Sequence, residues 1–306
     1  MSHEIERLIR MAGTGCWFID PAKAEQIVAA VALRVAAGPR SEPAFPDRQP
    51  MALSSDSRSG ARLVRVLRLH GTIMPRGNML SDMSGAVSLE RFQEAFRAAA
   101  SDPETSAILL DIDSPGGRVE LVQETVAMIR AASRPDRPIV AVANTLAASA
   151  AYWIASACDE IVVTPSGYVG SIGVYMMHQE VSERMKREGI SASVIFEGAR
   201  KVETNPFGPL DDAARAALQA DVKHNYDQFT SDVAKGRGVP VSVVRADPET
   251  AEKHFGGGRA YWASEAVRLG MADRVATLDD TLARLMRPAR AGSRRASLER
   301  RRLALL

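Results

Sequence analysis

Three short stretches of the sequence carry residues that suit nucleophilic attack on a carbonyl group. Ser149 lies among alanines, whose small side chains would let a substrate backbone approach the hydroxyl closely. Asp113–Gly117 ends in two glycines whose backbone N–H groups could face a developing oxyanion. Lys201 follows the apolar run SVIF. A buried lysine can replace histidine as the base of a serine, because burial disfavours the ammonium form.

Each stretch also has a purely structural interpretation. A serine in an alanine-rich helix usually serves packing, two glycines often form a tight strand–helix turn, and a lysine usually lies on the surface. The five histidines are scattered, and His70, at the end of a predicted strand, is interpreted as a turn or packing residue. A lysine is therefore the candidate base.

Signatures of other chemistries are absent from the sequence. It contains no G-x-x-x-x-G-K-[ST] loop, no H-E-x-x-H and no G-x-S-x-G. Gly167, Gly170 and Gly173 lie three residues apart, which is not the dinucleotide-binding spacing. The two cysteines, Cys16 and Cys158, lie far apart and in no metal-ligand spacing. We therefore expect no cofactor, no metal and no disulfide framework, as in a reducing compartment.

The elements that must position these residues alternate between strands and helices, which predicts α/β architecture with a largely parallel sheet. A helix is predicted after the N-cap Ser88, a second directly after Gly117, and a third after the N-cap Asp211. The apolar residues of the third helix share one face and are interpreted as core: Leu218, Val222, Tyr226, Phe229 and Val233. Apolar runs predict strands at 63–69, 107–112, 138–144, 160–164 and 193–196.

Composition divides the chain into four parts. Residues 1–36 have helical apolar spacing, 37–60 are rich in proline and serine and predict a linker, and 61–283 form the body. Residues 284–306 hold eight arginines and one glutamate, so we expect a disordered tail able to bind polyanions. The 306 residues carry a net charge of +2, and 46% are hydrophobic, which is typical of a soluble globular protein. With no signal peptide and no 18-residue apolar span, the sequence predicts a cytoplasmic location.

These motifs make the sequence resemble the signal-peptide-peptidase-A type of serine protease and, within it, the capsid-assembly (prohead) proteases of tailed phages. The resemblance extends over roughly residues 61–283. Lys201 stands ahead of the run NPFGPL, as the catalytic lysine of the family does. The other stretches that carry the resemblance are Asp113–Gly117, Ala148–Tyr152, Gly170–Val174, Gly258–Ala260, Glu265–Ala266 and Leu269–Asp273.

The resemblance implies a fold like that of the Clp protease and the crotonases, a spiral of repeated β-β-α units. It implies that Ser149 is the nucleophile, Lys201 the general base and Ser171 the residue that orients the lysine amine. The oxyanion hole would consist of Gly117, Ala150 and Gly116, with the backbone N–H groups of Gly117 and Ala150 binding the oxyanion. Many membrane-associated members have Ser-Gly-Gly where this chain has Ser-Ala-Ala. Alanine is small enough to keep the N–H groups accessible.

The phage branch of the resemblance implies a serine endopeptidase that processes capsid, scaffold or portal proteins during head maturation. Two further stretches resemble phage members, Met74–Met79 and Trp17–Pro21. Homo-oligomers are expected, with nucleic acid binding only through 284–306 and no membrane contact. One alternative is a soluble peptidase of the same family that degrades peptides. Another is a scaffold-binding subunit with a vestigial site. A crotonase-type acyl-CoA enzyme fits less well, because that chemistry does not need a serine–lysine pair.

Overall fold

The computed structural model describes residues 17–19, 54–60, 62–77 and 85–287. The strands in these ranges are β1 (Trp17–Ile19), β2 (Ser54–Ser59), β3 (Arg62–His70), β4 (Ile73–Met74), β5 (Val87–Ser88), β6 (Thr105–Ser114), β7 (Gly116–Arg118), β8 (Ile139–Ala148), β9 (Glu160–Val163), β10 (Tyr168–Gly170), β11 (Ala260–Trp262) and β12 (Arg274–Val275). The helices are α1 (Leu89–Ser101), α2 (Val122–Ala131), α3 (Ala150–Ala155), α4 (Ser182–Arg187), α5 (Asp212–Arg237), α6 (Val241–Arg245), α7 (Ala263–Leu269) and α8 (Leu278–Met286).

The main sheet is largely parallel, as the sequence predicts. Its strands follow the order β11-β10-β8-β6-β3-β2, with β9 added beside β8 and β12 beside β9. The pairs β3–β6, β6–β8, β8–β9 and β8–β10 are parallel, whereas β2 and β11 pair antiparallel at the two ends. The first half of β8 pairs with β9 and its second half pairs with β10, so this strand connects two parts of the sheet.

Alternating side chains of the central strands form a core on each face of the sheet. In β6, for example, Leu110 belongs to the larger core, under helices α1 to α3, and Leu109 belongs to the smaller core, under α8. Helix α1 begins where the sequence predicts, because the Ser88 hydroxyl accepts a hydrogen bond from the N–H of Arg91. The side of this helix on which apolar residues recur every three or four positions is buried: Leu89, Phe92, Phe96 and Ala99.

A second, four-stranded sheet has the order β1-β7-β4-β5. Its strand β7 contains Gly116 and Gly117, which the sequence places in a turn that leads directly into a helix. That expectation is wrong: a three-residue strand follows the turn, and α2 begins only at Val122. The reason is tertiary, since β7 is hydrogen-bonded to neighbouring strands on both edges, which local sequence cannot reveal.

The predicted strand at 193–196 is also wrong. These residues have no regular structure, and Ile195 is 97% exposed. A short apolar run favours a strand only where a neighbouring strand accepts its hydrogen bonds, and this segment has no such neighbour among the described residues.

The structure describes some residues of each of the four parts into which composition divides the chain. Of residues 1–36, only Trp17–Ile19 are described, and they form a strand; the predicted helical stretch lies outside the described residues. The end of the predicted linker, Ser54–Ser59, pairs with β3. Helix α8 extends past residue 283, and Arg284 forms an ion pair of 2.8 Å with Glu160. The tail beyond 287 lies outside the described residues.

Helix α5 begins as predicted, because the Asp211 carboxylate accepts a hydrogen bond of 2.7 Å from the N–H of Ala214. Its predicted core face is only partly buried. Phe229 and Val233 are buried, while the first half of the face is half-exposed: Leu218, Val222 and Tyr226. The first half of this helix therefore has no full cover within the described chain.

Candidate functional site

Three of the predicted stretches meet at one edge of the sheet. Ser114 near the end of β6 pairs with Ala147 in β8, and Ala148 pairs with Gly170 in β10. The residues that follow these strands, including Ser149 and Ser171, therefore lie side by side at the carboxyl ends of parallel strands. This edge is where open α/β sheets place their binding sites.

Ser149 has a backbone conformation that few non-glycine residues adopt. Its φ is 56° and its ψ is −120°, at the junction between β8 and α3. Its N–H donates to the carbonyl of Gly170 at 2.8 Å, and its own carbonyl accepts from the N–H of Trp153 at 2.9 Å. Such strain costs about 1–3 kcal/mol and persists only where surrounding contacts impose it, typically at functional sites.

The surroundings of Ser149 leave its hydroxyl uncommitted. The residue is 1% exposed, and no side chain in the described part of the chain forms a hydrogen bond with Oγ. The four nearest residues in sequence are buried alanines: Ala147, Ala148, Ala150 and Ala151. A sharp strand-to-helix turn with small neighbours is the arrangement that presents a serine nucleophile.

Helix α3 is anchored at its far side, which holds Ser149 in place. The ring of Trp153 stacks on Phe229 with centroids 4.9 Å apart, and its Nε1 donates to Asp232 at 3.0 Å. Asp232 also accepts from Arg130 at 2.6 Å. The neighbouring Tyr152 donates to the carbonyl of Met271 at 2.9 Å, and burial raises the pKa of its phenol. Tyr152 therefore stays protonated and acts as a structural donor.

The glycine loop is pinned beside this helix. The Ser114 hydroxyl donates to the carbonyl of Gly71 at 2.6 Å and accepts the N–H of Gly116 at 3.2 Å. The N–H of Gly116 is thus already used within the loop. Gly117 lies so close to β4 that a Cβ atom would come within 1.9 Å of the carbonyl oxygen of Ile73. Only glycine fits at position 117.

Ser171 directly follows the adjacent strand β10 and, like Ser149, is buried with a positive φ. Its φ is 54°, it is 6% exposed, and its N–H donates to the carbonyl of Arg259 at 2.8 Å. A Cβ atom on Gly170 would lie 2.6 Å from the same carbonyl oxygen. Ser149 is thus held by a bond to the end of β10, and Ser171 by a bond to the residue that precedes β11.

Lys201 is in a different environment. It lies in a turn in which its N–H donates to the carbonyl of Gly198 at 2.9 Å, and its side chain is exposed. Within the described residues, no side-chain contact joins Lys201 to Ser149 or Ser171. The apolar cover that the sequence predicts from the run SVIF is missing, because Val194, Ile195 and Phe196 are themselves exposed. The described chain therefore brings together five of the six predicted site residues and leaves Lys201 apart.

Sequence reasoning missed a polar cluster at the same sheet edge. Nε2 of His70, at the end of β3, lies 3.0 Å from Oδ2 of Asp111 in β6, and Asn144 donates to the other carboxylate oxygen at 3.1 Å. The interpretation of His70 as a packing residue therefore overlooked an acidic partner. The alternation of Asp111 and Asp113 along β6, beside His70 in the neighbouring strand, was the available signal.

Other kinds of site find little support in the described ranges. A cavity of about 280 Å³ lies between the start of α2 and α5, lined by residues that include Glu120, Trp153 and His224, but neither Ser149 nor Lys201 lines it. Among the residues that the structure describes, no three histidine, cysteine or acidic side chains are grouped to hold a metal ion. None of the described helices has the length and hydropathy needed to cross a membrane.

Comparison with known proteins gives a match over the serine-bearing half of the chain. Residues 131–291 match the family model "Peptidase family S49", a range that includes Ser149, Ser171 and Lys201. The capsid assembly protease C of Escherichia phage lambda is 32% identical over 219 residues, which are 72% of this chain and 48% of that protein.

Further likenesses are more distant. Protease 4 of Haemophilus influenzae is 25% identical over 72% of this chain and 34% of that protein. The chain thus spans about half the length, or less, of these curated relatives. Among solved structures, a ClpP1 mutant from Listeria monocytogenes has a TM-score of 0.42 and 15% identity, covering 71% of this chain and 94% of that one.

Proposed function

Because the chain belongs to peptidase family S49, we propose that it is a serine endopeptidase whose nucleophile is Ser149 and whose general base is Lys201. The observation that carries the proposal is the conformation of Ser149. Its strained φ of 56° lies at a strand-to-helix junction, directly beside a glycine loop whose backbone is pinned. Strain of this kind stabilises nothing by itself, and its persistence indicates a functional constraint.

In the proposed reaction, Oγ of Ser149 bonds to the carbonyl carbon of the scissile peptide while its proton passes to the amine of Lys201. The lysine then gives this proton to the leaving nitrogen, and the C–N bond breaks. A water molecule, deprotonated by the same amine, then attacks the acyl carbon. The bond between this carbon and Oγ breaks, Oγ takes the proton back from the lysine, and the acid product leaves. Gly117 and Ala150 are the proposed oxyanion donors. Gly116, whose N–H is bound to Ser114, instead shapes the turn.

Lys201 can accept a proton only as a neutral amine, and solvent favours the charged form. Its exposure in the described chain means that desolvation must be provided by something else. We infer that a bound substrate or a second copy of the chain covers it, with Ser171 orienting the amine. Exposed apolar side chains on the same segment support self-association, which would bury them: Met177, Ile190, Val194, Ile195 and Phe196.

The substrates that we propose are capsid, scaffold or portal proteins of a phage or prophage, processed in the host cytoplasm. The likeness to a capsid assembly protease supports this choice. A peptide-degrading enzyme is the second candidate, supported by the likeness to Protease 4. Incubation of the purified protein with capsid and scaffold proteins encoded beside its gene, followed by mass spectrometry of the products, separates the two. Defined cleavage sites support processing, and unselective loss of any unfolded polypeptide supports degradation.

The nucleophile is tested with a serine-directed fluorophosphonate. Wild-type protein should be labelled on Ser149, and Ser149→Ala should lose the label. Ser191→Ala, in an exposed position of the segment before Lys201, is the matched control and should be labelled like the wild type. Absence of labelling in folded wild-type protein, together with absence of cleavage, would instead support a vestigial site in a scaffold-binding subunit.

The Arg-rich tail has a separate proposed role in holding polyanions. Within the predicted tail 284–306, the six arginines of 288–306 would contact phosphate groups, and this binding would weaken with salt. Removal of 288–306 leaves the ion pair of Arg284 intact and should lower DNA retention at low salt. Unchanged retention would rule out this role.

A further inference from the structure

Strand β7, which carries the glycine loop of the candidate site, has no free edge. On one edge Gly117 pairs with Ile73 of β4 in parallel. On the other edge β7 pairs antiparallel with β1, in the register Phe18 opposite Gly117 and Ile19 opposite Gly116. The backbone of the loop is therefore sandwiched between a neighbouring strand of the body and a strand from the N-terminal part of the chain.

The two edges are held very differently. The β4 edge is bonded into the body, because the N–H of Gly71 donates to the carbonyl of Asp113 at 2.8 Å and the Ser114 hydroxyl donates to the carbonyl of Gly71 at 2.6 Å. Gly117 also packs against the backbone of Ile73 without room for a side chain. On the other side, β1 is three residues long and β7 is its only strand partner among the described residues. The β1 edge is thus the one that can open.

An endopeptidase must bind an extended stretch of polypeptide on both sides of the bond that it cleaves. The usual means is strand addition, in which the backbone of the bound segment pairs with an exposed strand edge. Under the proposed function, the scissile carbonyl must reach the N–H of Gly117. The substrate segment that carries this carbonyl would then lie along the edge of β7, which contains Gly117. Strand β1 already occupies this edge.

We propose that the outer edge of Gly116–Arg118 is the docking edge for an extended segment of the protein substrate, and that Trp17–Ile19 is its resident occupant in the free protein. Substrate and β1 then compete for the same backbone groups, so the N-terminal part of the chain acts as a built-in competitor. This inference rests on the proposed function, since it assigns a role to the strand beside the proposed oxyanion donor.

The chemistry of both partners defines the kind of segment that the edge would take. The occupant is a run of three apolar residues with high strand preference, Trp-Phe-Ile, followed by Asp20 and Pro21. Proline has no N–H to donate to a neighbouring strand, so the sequence predicts that this strand is short. On β7 the two glycines present no side chains, and the guanidinium of Arg118 is paired with Glu120 at 2.5 Å. The edge therefore suits a short, apolar, extended segment bound through its backbone.

The test replaces Phe18 by proline in the full-length chain. Phe18→Pro removes a backbone N–H and constrains φ, so β1 should leave β7. If β1 has left β7 in about a tenth of the wild-type molecules, the KM of Phe18→Pro for a fluorogenic peptide should be about ten-fold lower than that of the wild type, with kcat unchanged. Hydrogen exchange at the amides of Gly117 and Arg118 should become faster without substrate. Asp212→Pro, at the first position of helix α5, where proline removes no helical hydrogen bond, is the control and should change neither quantity.

A binding measurement makes the test independent of catalysis. A fluorescent peptide with the sequence of residues 15–22 should bind Ser149→Ala/Phe18→Pro more tightly than Ser149→Ala alone. The same peptide with proline at the Phe18 position should bind neither protein. If Ser149 resists fluorophosphonate while this peptide binds as expected, the proposed function fails and the docking edge stands.

Two results would overturn the inference. Unchanged KM, unchanged amide exchange and unchanged peptide affinity in Phe18→Pro would mean that β1 does not occupy the docking edge. A fall in kcat, with circular dichroism showing an intact fold, would mean that β1 is a permanent part of the site that supports catalysis.

Discussion

The region around Ser149 and the region around Lys201 are built in opposite ways. Ser149 is 1% exposed, and its backbone is bonded to Gly170 and Trp153. Lys201 is exposed, and its side chain has no partner among the described residues. The nucleophile is positioned by strand register and helix packing, whereas none of the residues that the structure describes positions the side chain of the proposed base.

The difference follows from the elements that carry the two residues. Ser149 follows a ten-residue strand that pairs on both edges. Between Ser171 and Asp211 the structure defines no strand, and its one helix, α4, buries no residue. A segment with few buried contacts takes its conformation from whatever binds it. We therefore expect the catalytic arrangement to be completed by substrate or by a second copy of the chain.

The largest effect is expected from removal of the nucleophile. Ser149→Ala deletes the only atom that can form the acyl-enzyme in this proposal, so kcat for a fluorogenic peptide should fall by about 10⁴-fold or more. The fold should remain, because alanine keeps the backbone and the small volume. Activity of Ser149→Ala within ten-fold of the Ser191→Ala control would exclude Ser149 as the nucleophile.

Two substitutions of Lys201 test whether it is the general base, because neither replacement can accept a proton. Lys201→Met keeps the length of the side chain, and Lys201→Arg keeps a charge that cannot be lost, so both should lower kcat by about 10²–10⁴-fold. The measurement is kcat for a fluorogenic peptide, compared between each folded variant and the wild type.

Two other lysines serve as controls for Lys201. Lys186 is paired with Glu183 at 2.7 Å and Lys223 with Asp227 at 2.5 Å, both on exposed helix surfaces. Their replacement by methionine should leave kcat nearly unchanged. Near-normal proteolysis by folded Lys201→Arg would show that the base is another group.

A pair of glycine substitutions compares the two regions directly. Gly117→Ala places a methyl group where the carbonyl oxygen of Ile73 lies, 1.9 Å from the ideal Cβ position. The strand must shift, so we expect a loss of about 1–3 kcal/mol in the free energy of unfolding and a large loss of kcat. Gly208→Ala, after Lys201, meets open space and should change stability little. Equal thermal stability of the two variants would contradict the described packing of β4 against β7.

Ser171 should have a smaller effect than either catalytic residue. Its proposed role is to orient the lysine amine, so Ser171→Ala should lower kcat by about ten-fold, the effect of one lost hydrogen bond. KM should stay nearly unchanged, because Ser171 is proposed to act on the lysine amine and not on the bound peptide. Ser171→Thr retains the hydroxyl and should recover part of the activity, provided that circular dichroism shows the same fold.

The smallest effect on the isolated chain is expected at Ile195. This side chain is 97% exposed, so Ile195→Glu should change the free energy of unfolding by less than about 0.5 kcal/mol. If the apolar segment is covered by a second copy, the same change should lower the sedimentation coefficient at micromolar concentration and reduce activity. Sedimentation of the wild type as a fully active monomer would exclude this explanation of how Lys201 is desolvated.

Much of the architecture follows from local sequence. The apolar runs of β3, β6, β8 and β9 form strands where they are predicted, and α1 and α5 begin at their predicted caps, Ser88 and Asp211. These features are local, because a cap acts over three residues and a run of apolar residues must be buried somewhere. The same stretches place Ser149, Ser171 and the glycines at strand ends.

Where β-structure forms depends on partners that are distant in the sequence. Gly116–Arg118 is a poor strand by composition and forms one because β1 and β4 bind both of its edges. Val194–Phe196 is a good strand by composition and forms none, since no strand lies beside it in the described chain. Strand preference measures the fit of side chains to a pleated surface, and that surface must be supplied by another part of the molecule.

The sequence by itself determined the residue types of the candidate site, their order along the chain and the strands that carry most of them. Tertiary structure alone decided three further points: the strain at Ser149, the occupied edge of β7 and the exposure of Lys201. All three depend on which backbone and apolar groups meet across long sequence separations. The N–H of Ser149 bonds to Gly170, and the side chain of Lys201 meets no such partner within the described chain. A buried contact requires two groups that are often far apart in the sequence. Residue spacing therefore indicates which residues could take part in catalysis, but not whether the fold brings them together.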